Sequence, residues 1–439
     1  MQNLTRGRKI AYAMGGMAMN LTNLVISQLL FYRYIPDPDK GTVLIPATAI
    51  AAGTLFGILM TAGRLTDGIT DPLVAFWSDQ SRSPRGRRIP FVLWGLLPFC
   101  LVFFLLWTPP VESASWINAV YIFIMIQLYF ILYTIVVTPY LALLPELTGD
   151  LKERVNITTM QAVFVMVGTF IFGISGPLVA FGGWWVLGLT VAVLSLLSFL
   201  PTIFAIKENP AAIAAVQKLS MWKWLMMTLQ NKPFRFVIVS TSLYWFGLNL
   251  LLMVVPAWVE SFLGLTKADM PLLMMPFLVV NVLFFFVFNA LSKKYGKYAM
   301  YLVTCFGSGL VVPLLYFVGS LPGSALVWSA VILGLAGIPT AGFMMLPFAI
   351  LSDAVDIDEA RTGQRREGIF FGTQAIFQKS AIGLSVAFFP IIAQSAGQFT
   401  ETGLKMVAIS AAIFFVLAGI SFLRYPIREV AGKATLVGA

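Results

Sequence analysis

The sequence predicts an all-α integral membrane protein with twelve transmembrane helices that form two six-helix bundles. Of the 439 residues, 59% are hydrophobic and 11% are charged, whereas soluble domains are roughly 45–50% apolar and about 25% charged. The 29 basic and 19 acidic residues are too few to cover a soluble protein of this length. Lipid must therefore surround most of the chain.

Missing residue types exclude several classes of function. The chain contains no histidine and only two cysteines, Cys100 and Cys305. Histidine-dependent catalysis and histidine metal sites are therefore excluded, and so is a disulfide scaffold. We expect no enzyme activity, no metal centre and no bound organic cofactor.

Apolar segments fill most of the chain. Each is long enough to cross the roughly 30 Å hydrocarbon core of a bilayer, which takes about 20 helical residues. The twelve predicted spans lie at about residues 10–35, 46–78, 88–109, 116–146, 157–182, 184–205, 234–262, 269–292, 298–319, 325–353, 367–394 and 402–424.

Basic residues mark one side of the membrane. Most of the 29 lie in alternate connections, namely both termini and the loops near 79–90, 147–156, 206–235, 293–298 and 354–367. By the positive-inside rule, this distribution places both termini in the cytoplasm of a multi-pass protein of the inner or plasma membrane. Because the charges form no continuous stripe, the net charge of +10 favours the lipid bilayer, and not nucleic acid, as the partner.

The two halves of the chain resemble each other. Pro139–Glu146 ends span four and Pro347–Asp353 ends span ten, at nearly the offset that separates the loops after spans two and eight. We assign residues 1–206 to an N-terminal bundle, 207–232 to a cytoplasmic linker with an amphipathic helix, and 233–439 to a C-terminal bundle. Such repeats are typical of transporters whose halves rock about a central site. Chance similarity between short apolar strings is the alternative explanation.

Span two contains charges that are costly in lipid. Asp67 and Asp71 lie four residues apart on one helix face, with Arg64 one turn before them. Carboxylates at membrane depth are functional candidates by default. Together with the Thr70 hydroxyl, they offer the oxygen ligands that suit a hard monovalent cation. The alternative is that both aspartates only form salt bridges with Arg64 and with Lys379, which lies in the middle of span eleven.

Two polar clusters lie at the predicted cytoplasmic ends of the spans. They have a plain explanation as determinants of topology. We also expect them to form weak salt bridges that close the cytoplasmic side, because exposed pairs contribute only about 0–1 kcal/mol each and can reopen. The candidate gate residues are Asp79, Arg85, Arg88, Asp353, Asp356 and Arg365.

Four segments, in order along nearly the whole chain, resemble the glycoside–pentoside–hexuronide:cation symporters. This is the melibiose-permease-like branch of the major facilitator superfamily. The segments are Arg64–Pro72, Ser81–Arg88, Pro139–Glu146 and Ser352–Glu359 with Arg365–Ile369. The resemblance implies the major facilitator fold.

The resemblance also implies roles for individual residues. Asp67 and Asp71 match the family's cation-binding aspartates, Thr134 matches its cation ligand on helix four, and Lys379 matches its lysine on helix eleven. The coupling cation, Na⁺ or H⁺, is implied in the same way. An oxygen-only site without histidine favours Na⁺.

The residues that match the family's sugar site differ from the melibiose permease pattern. Asn20, Val137 and Gln161 stand where that permease has charged groups. With Asn23 and Gln374, we assign them to the substrate cavity. Their neutrality predicts a less polar cavity, because a site for sugar hydroxyls discriminates through paired hydrogen bonds.

We therefore expect a secondary active transporter that works as a monomer. It would couple Na⁺ or H⁺ to the symport of a small organic solute, glycoside- or sugar-like, by alternating access. The alternatives are an amphipathic, lysolipid-like substrate, or a passive facilitator that needs no acidic pair.

Overall fold

The computed structural model describes residues 5–36, 41–46, 52–81, 83–147, 151–206, 208, 226, 228–362, 367–395, 398–430 and 433–436. The chain divides into two compact units, Met1–Lys218 and Leu219–Ala439. The predicted amphipathic linker helix lies almost wholly outside the described residues. The predicted bundle limits at 206 and 233 stay predictions.

The first unit is helical. Its helices are α1 (Arg6–Tyr34), α2 (Ala52–Gln80), α3 (Ile89–Leu105), α4 (Trp116–Leu147), α5 (Leu151–Gly173), α6 (Ser175–Gly182) and α7 (Trp184–Ala205). The fifth predicted span is thus divided into α5 and α6 at Ile174, which has a non-helical backbone.

The second unit is also mainly helical. Its helices are α8 (Lys232–Ala257), α9 (Met270–Tyr295), α10 (Lys297–Val311), α11 (Ala325–Thr362), α12 (Glu367–Ala393) and α13 (Glu401–Phe422). Shorter helical turns extend α8 over Trp258–Phe262 and α10 over Val312–Phe317. Two antiparallel hairpins pair β1 (Gln394–Ser395) with β2 (Gln398–Phe399), and β3 (Ile427–Val430) with β4 (Lys433–Leu436).

Each predicted span coincides with a helical segment. By length and composition, however, fewer than twelve of these helices qualify as membrane spans. Nine helices in the described part of the chain are long and apolar enough to cross a membrane. The α3 helix is apolar but has only 17 residues, and α2 carries the charged residues of span two. The count of twelve spans therefore stays a prediction.

The helix of span ten ends later than the sequence predicts. We placed a loop after Asp353, whereas α11 continues to Thr362. The sequence Asp358-Glu-Ala-Arg361 explains the extension, because alanine, glutamate and arginine favour helix.

The same helix pairs pack together in both units. In the first unit, α1 packs against α5 and α7, α2 packs against α4, and α3 packs against α4 and α7. In the second unit, α8 packs against α12 and α13, α9 packs against α11, and α10 packs against α11 and α13. Counted as spans, these are equivalent pairs. The internal repeat suggested by the sequence therefore extends to the packing inside each unit.

Candidate functional site

The acidic pair lies at the interface between α2 and α4. Successive turns of the two helices lie side by side there. The Thr134 hydroxyl donates a 2.8 Å hydrogen bond to Asp67 Oδ1. One turn further along both helices, the Thr138 hydroxyl donates a 2.9 Å bond to Asp71 Oδ1. Both bonds join residues 67 positions apart in sequence. Each aspartate therefore has its own threonine on the neighbouring helix.

Gly63 permits this close approach of the two helices. It lies one turn before Asp67 and faces Phe130, which lies one turn before Thr134. A Cβ atom at Gly63 would lie 2.3 Å from Ile126 Cγ2 and 2.7 Å from Phe130 Cδ2. Small residues have this role at many helix interfaces in membranes.

Further hydroxyl and amide groups surround the pair. The Thr70 hydroxyl lies 3.2 Å from the Thr134 hydroxyl, to which it can donate, and the Thr66 hydroxyl donates to Gln127 Oε1 at 2.5 Å. Asp67 is fully buried at 0% exposure, while Asp71 is half-buried. The structure thus brings together the four predicted ion ligands, Asp67, Asp71, Thr70 and Thr134, and adds Thr138.

Arg64 is held by α1. Its side chain is 1% exposed, and its Nη2 donates a 2.8 Å bond to Asn23 Oδ1 and a second bond to the Ser27 hydroxyl. The guanidinium carbon lies 4.8 Å from the centre of the Phe130 ring. Asn23, which we assigned to the substrate cavity, therefore contacts a residue of the acidic segment.

Two of the remaining cavity candidates of the first unit form hydrogen bonds between helices: Asn20 links α1 to α5, and Gln161 links α5 to α4. The Asn20 amide donates to the Val165 carbonyl at 3.0 Å and to the Thr169 hydroxyl at 2.7 Å. The Gln161 amide donates to the Tyr140 hydroxyl at 3.1 Å. Val137 is buried at 5% exposure, and Asn20 and Gln161 are half-buried.

In the second unit, Lys379 and Gln374 lie on α12. Lys379 is half-buried, and the buried Gln374 amide donates to Gln378 Oε1 at 3.1 Å. The predicted pairing of Lys379 with the acidic residues of the first unit stays a prediction.

One acidic gate candidate of the second unit, Asp353, binds a residue of another helix. Asp353 accepts bonds of 2.6 and 2.7 Å from Lys297 at the start of α10. Asp358, further along α11, accepts a 3.2 Å bond from Asn231, the residue before α8. The other acidic gate candidate on α11, Asp356, is exposed, and Arg365 lies outside the described residues. The sequence predicts a loop near 354–367, whereas Asp356 and Asp358 lie on α11.

A carboxylate missed by the sequence analysis organises the gate segment of the first unit. Glu208 follows α7 and accepts bonds from the backbone N–H groups of Arg87 (2.8 Å), Arg88 (2.9 Å) and Ile89 (2.5 Å). It thereby caps the N-terminus of α3. Gly86 has a φ of +106°, and a Cβ atom there would lie 2.6 Å from Glu208 Oε1. In the sequence, the glycine between Arg85 and Arg87 is the residue that could have indicated this tight turn.

The basic gate candidates differ in exposure. Arg85 is exposed, whereas Arg88 is buried at 9% exposure. The Asp79 side chain lies outside the described residues.

Comparisons with known proteins agree with this architecture. Residues 11–429 match the model of the family described as MFS/sugar transport protein. The chain is 24% identical over 450 residues to the isoprimeverose transporter of Lactiplantibacillus pentosus, covering 97% of this chain and 89% of that protein. It is 29% identical over 406 residues to the putative glycoside/cation symporter YagG of Escherichia coli strain K12, covering 88% and 82%.

A solved structure shares the fold. The crystal structure of a D-xylose-proton symporter superposes with a TM-score of 0.72 at 15% identity, covering 98% of this chain and 99% of that one. The chain therefore belongs to the MFS/sugar transport protein family, the glycoside–pentoside–hexuronide symporters of the major facilitator superfamily, and is a multi-pass membrane transporter and not an enzyme.

Proposed function

We propose that this transporter couples the movement of Na⁺ or H⁺ to the symport of a small, neutral, glycoside- or sugar-like solute by alternating access. The observation that carries the proposal is the pair of carboxylate–hydroxyl bonds, Asp67 with Thr134 and Asp71 with Thr138, between two helices of a membrane protein. Both termini would lie in the cytoplasm, and the monomer would be the working unit.

The energetics of the acidic pair favour a bound cation. A carboxylate at membrane depth costs several kcal/mol unless something compensates its charge, and two carboxylates on one helix face repel each other. A cation shared by the two carboxylates would offset both the cost of burial and their mutual repulsion.

The ligand set favours Na⁺ over a transition metal. Asp67, Asp71, Thr70, Thr134 and Thr138 supply only oxygen atoms, and hard cations prefer carboxylate and hydroxyl ligands to nitrogen or sulfur. A proton could bind to either carboxylate without needing the hydroxyl oxygens. Loss of the threonine hydroxyls therefore separates the two ions experimentally.

The cavity residues and two of the relatives favour a neutral solute. Asn20 and Gln161 are uncharged amides, and their donor groups already bind α4 and α5. One relative is named for isoprimeverose and another for glycosides. We infer a solute of that kind, with the Val137 side chain near its less polar part.

The proposal is tested by screening ligands with purified protein. Neutral glycosides, free sugars and lysophospholipids are added with NaCl or with choline chloride, and the thermal unfolding midpoint is recorded. We expect neutral glycosides to stabilise the protein more in sodium than in choline, because cation and solute bind cooperatively. Stabilisation by lysophospholipids alone would replace the glycoside with an amphipathic substrate. Equal stabilisation in both salts would contradict sodium coupling.

A further inference from the structure

The contact between Arg64 and α1 is built from matched polar groups. Ser27 donates its hydroxyl proton to the Asn23 carbonyl at 2.7 Å, one turn back along α1. Its oxygen is therefore left to accept from Arg64. The Asn23 amide must present its oxygen to Arg64, because a guanidinium has donors but no acceptor. Asn23 and Ser27 together thus form an acceptor pair for one Arg64 nitrogen.

The arginine is buried but not saturated with hydrogen bonds. Its side chain is 1% exposed, and its Nε has no hydrogen-bond partner in the described part of the chain. The Phe130 ring covers it from α4. The hydrogen bonds to α1 therefore help to determine where the charge of Arg64 lies.

The position of this charge matters to the carboxylates. Arg64 precedes Asp67 by three residues on α2, so the two side chains lie on the same side of the helix. A fixed positive charge near a carboxylate pair competes with an added cation. The more closely Arg64 approaches Asp67 and Asp71, the weaker the binding of Na⁺ becomes.

We propose that Asn23 and Ser27 are positioning residues that hold the Arg64 guanidinium toward α1 and thereby set the Na⁺ affinity of the acidic pair. The inference rests on the proposed cation site. It also separates Asn23 from the substrate cavity and makes it part of the link between α1 and the ion site.

Two substitutions at Asn23 have opposite expected effects. Asn23→Leu removes the acceptor, so Arg64 turns toward Asp67 and Asp71 and the half-saturating Na⁺ concentration rises. Asn23→Asp keeps the shape but adds a negative charge that pairs with Arg64 and offsets its field, so the half-saturating concentration falls. We expect a change of roughly threefold or more in each direction.

The experiment measures the thermal unfolding midpoint of the full-length protein during titration with NaCl. Choline chloride keeps the ionic strength constant. Thr241→Val is the control, because the buried Thr241 hydroxyl donates to the Val237 carbonyl of its own helix at 2.8 Å, in the other unit. Ser27→Ala should raise the half-saturating concentration less than Asn23→Leu does, and it provides a second variant if Asn23→Leu does not fold.

Opposite shifts for leucine and aspartate support the inference, since a purely structural role would move both variants the same way. Shifts in the same direction, or none, overturn it, provided that Asp71→Asn has lost the sodium response. If wild-type protein lacks the response, or Asp71→Asn keeps it, the proposed sodium site itself fails and the inference fails with it.

Discussion

Threonine hydroxyls contribute to the orientation of the two aspartates. Thr134 and Thr138 each donate to one Oδ1 atom. The lone pairs of the two threonine oxygens lie close to the carboxylates. A threonine in this arrangement can act both as a positioning group and as a ligand.

Replacing Thr138 should weaken Na⁺ binding and spare proton binding. Thr138→Val keeps the side-chain shape but removes one oxygen ligand and the bond that orients Asp71. We expect the half-saturating Na⁺ concentration in thermal stabilisation to rise roughly tenfold, because a lost hydrogen bond to a charged group contributes about 1.5–3 kcal/mol.

The control for this variant lies on α2. The Thr61 hydroxyl donates to the Gly57 carbonyl of its own helix at 2.8 Å, so Thr61→Val should leave the Na⁺ titration unchanged. A Thr138→Val protein with the wild-type sodium response would remove Thr138 from the ion site.

At the scale of helices, the distance between α2 and α4 depends on Gly63. A methyl group there would overlap Ile126 and Phe130. Because Thr134 and Thr138 lie on the same face of α4, separating the helices would lengthen both bonds to the aspartates. The proposed ion site therefore depends on the packing of the two helices as well as on its polar residues.

Gly63→Ala should destabilise the protein by about 1–3 kcal/mol, the usual effect of overpacking, and should weaken the sodium response. Gly372→Ala is the control, since a Cβ atom on Gly372 of α12 meets no heavy atom within 4 Å. That substitution should be neutral or stabilise the protein by up to about 1 kcal/mol. Thermal unfolding of both variants provides the comparison, and equal midpoints would contradict the packing argument.

The cap of α3 offers a separate test at this scale. Glu208→Ala removes the acceptor for three backbone N–H groups and should cost about 0.5–2 kcal/mol, as other N-cap losses do. Hydrogen exchange should accelerate in a peptide covering residues 85–92. Glu208→Gln keeps one acceptor oxygen and should show a smaller effect. Unchanged exchange in Glu208→Ala would show that the carboxylate does not stabilise this segment.

The sequence was sufficient to identify residues whose chemistry conflicts with lipid. Arg64, Asp67 and Asp71 stand out because charge is rare within apolar spans. Thr138 and Glu208 do not stand out, because threonine is common in membrane helices and a glutamate after a span is ordinary. The role of Thr138 depends on how α4 is aligned along α2. The role of Glu208 depends on a contact with Arg87, which lies 121 residues earlier in the chain. The Lys297–Asp353 pair was missed for the same reason.

In the molecule as a whole, equivalent helix pairs recur in the two units. Such a repeat is typical of transporters built from two bundles. The first unit carries the acidic pair and the second carries Lys379. Each unit therefore supplies charged groups of its own.

Coupling of an ion gradient to solute movement by the acidic pair can be measured directly. The measurement is accumulation of a radiolabelled glycoside, chosen from the stabilisation screen, in proteoliposomes with an imposed inward Na⁺ or H⁺ gradient. Wild-type protein should concentrate the glycoside above its external level and lose this ability when an ionophore dissipates the gradient. Asp71→Asn should only equilibrate it. Wild-type accumulation by Asp71→Asn would contradict coupling through the acidic pair, and so would mere equilibration by wild-type protein under both gradients.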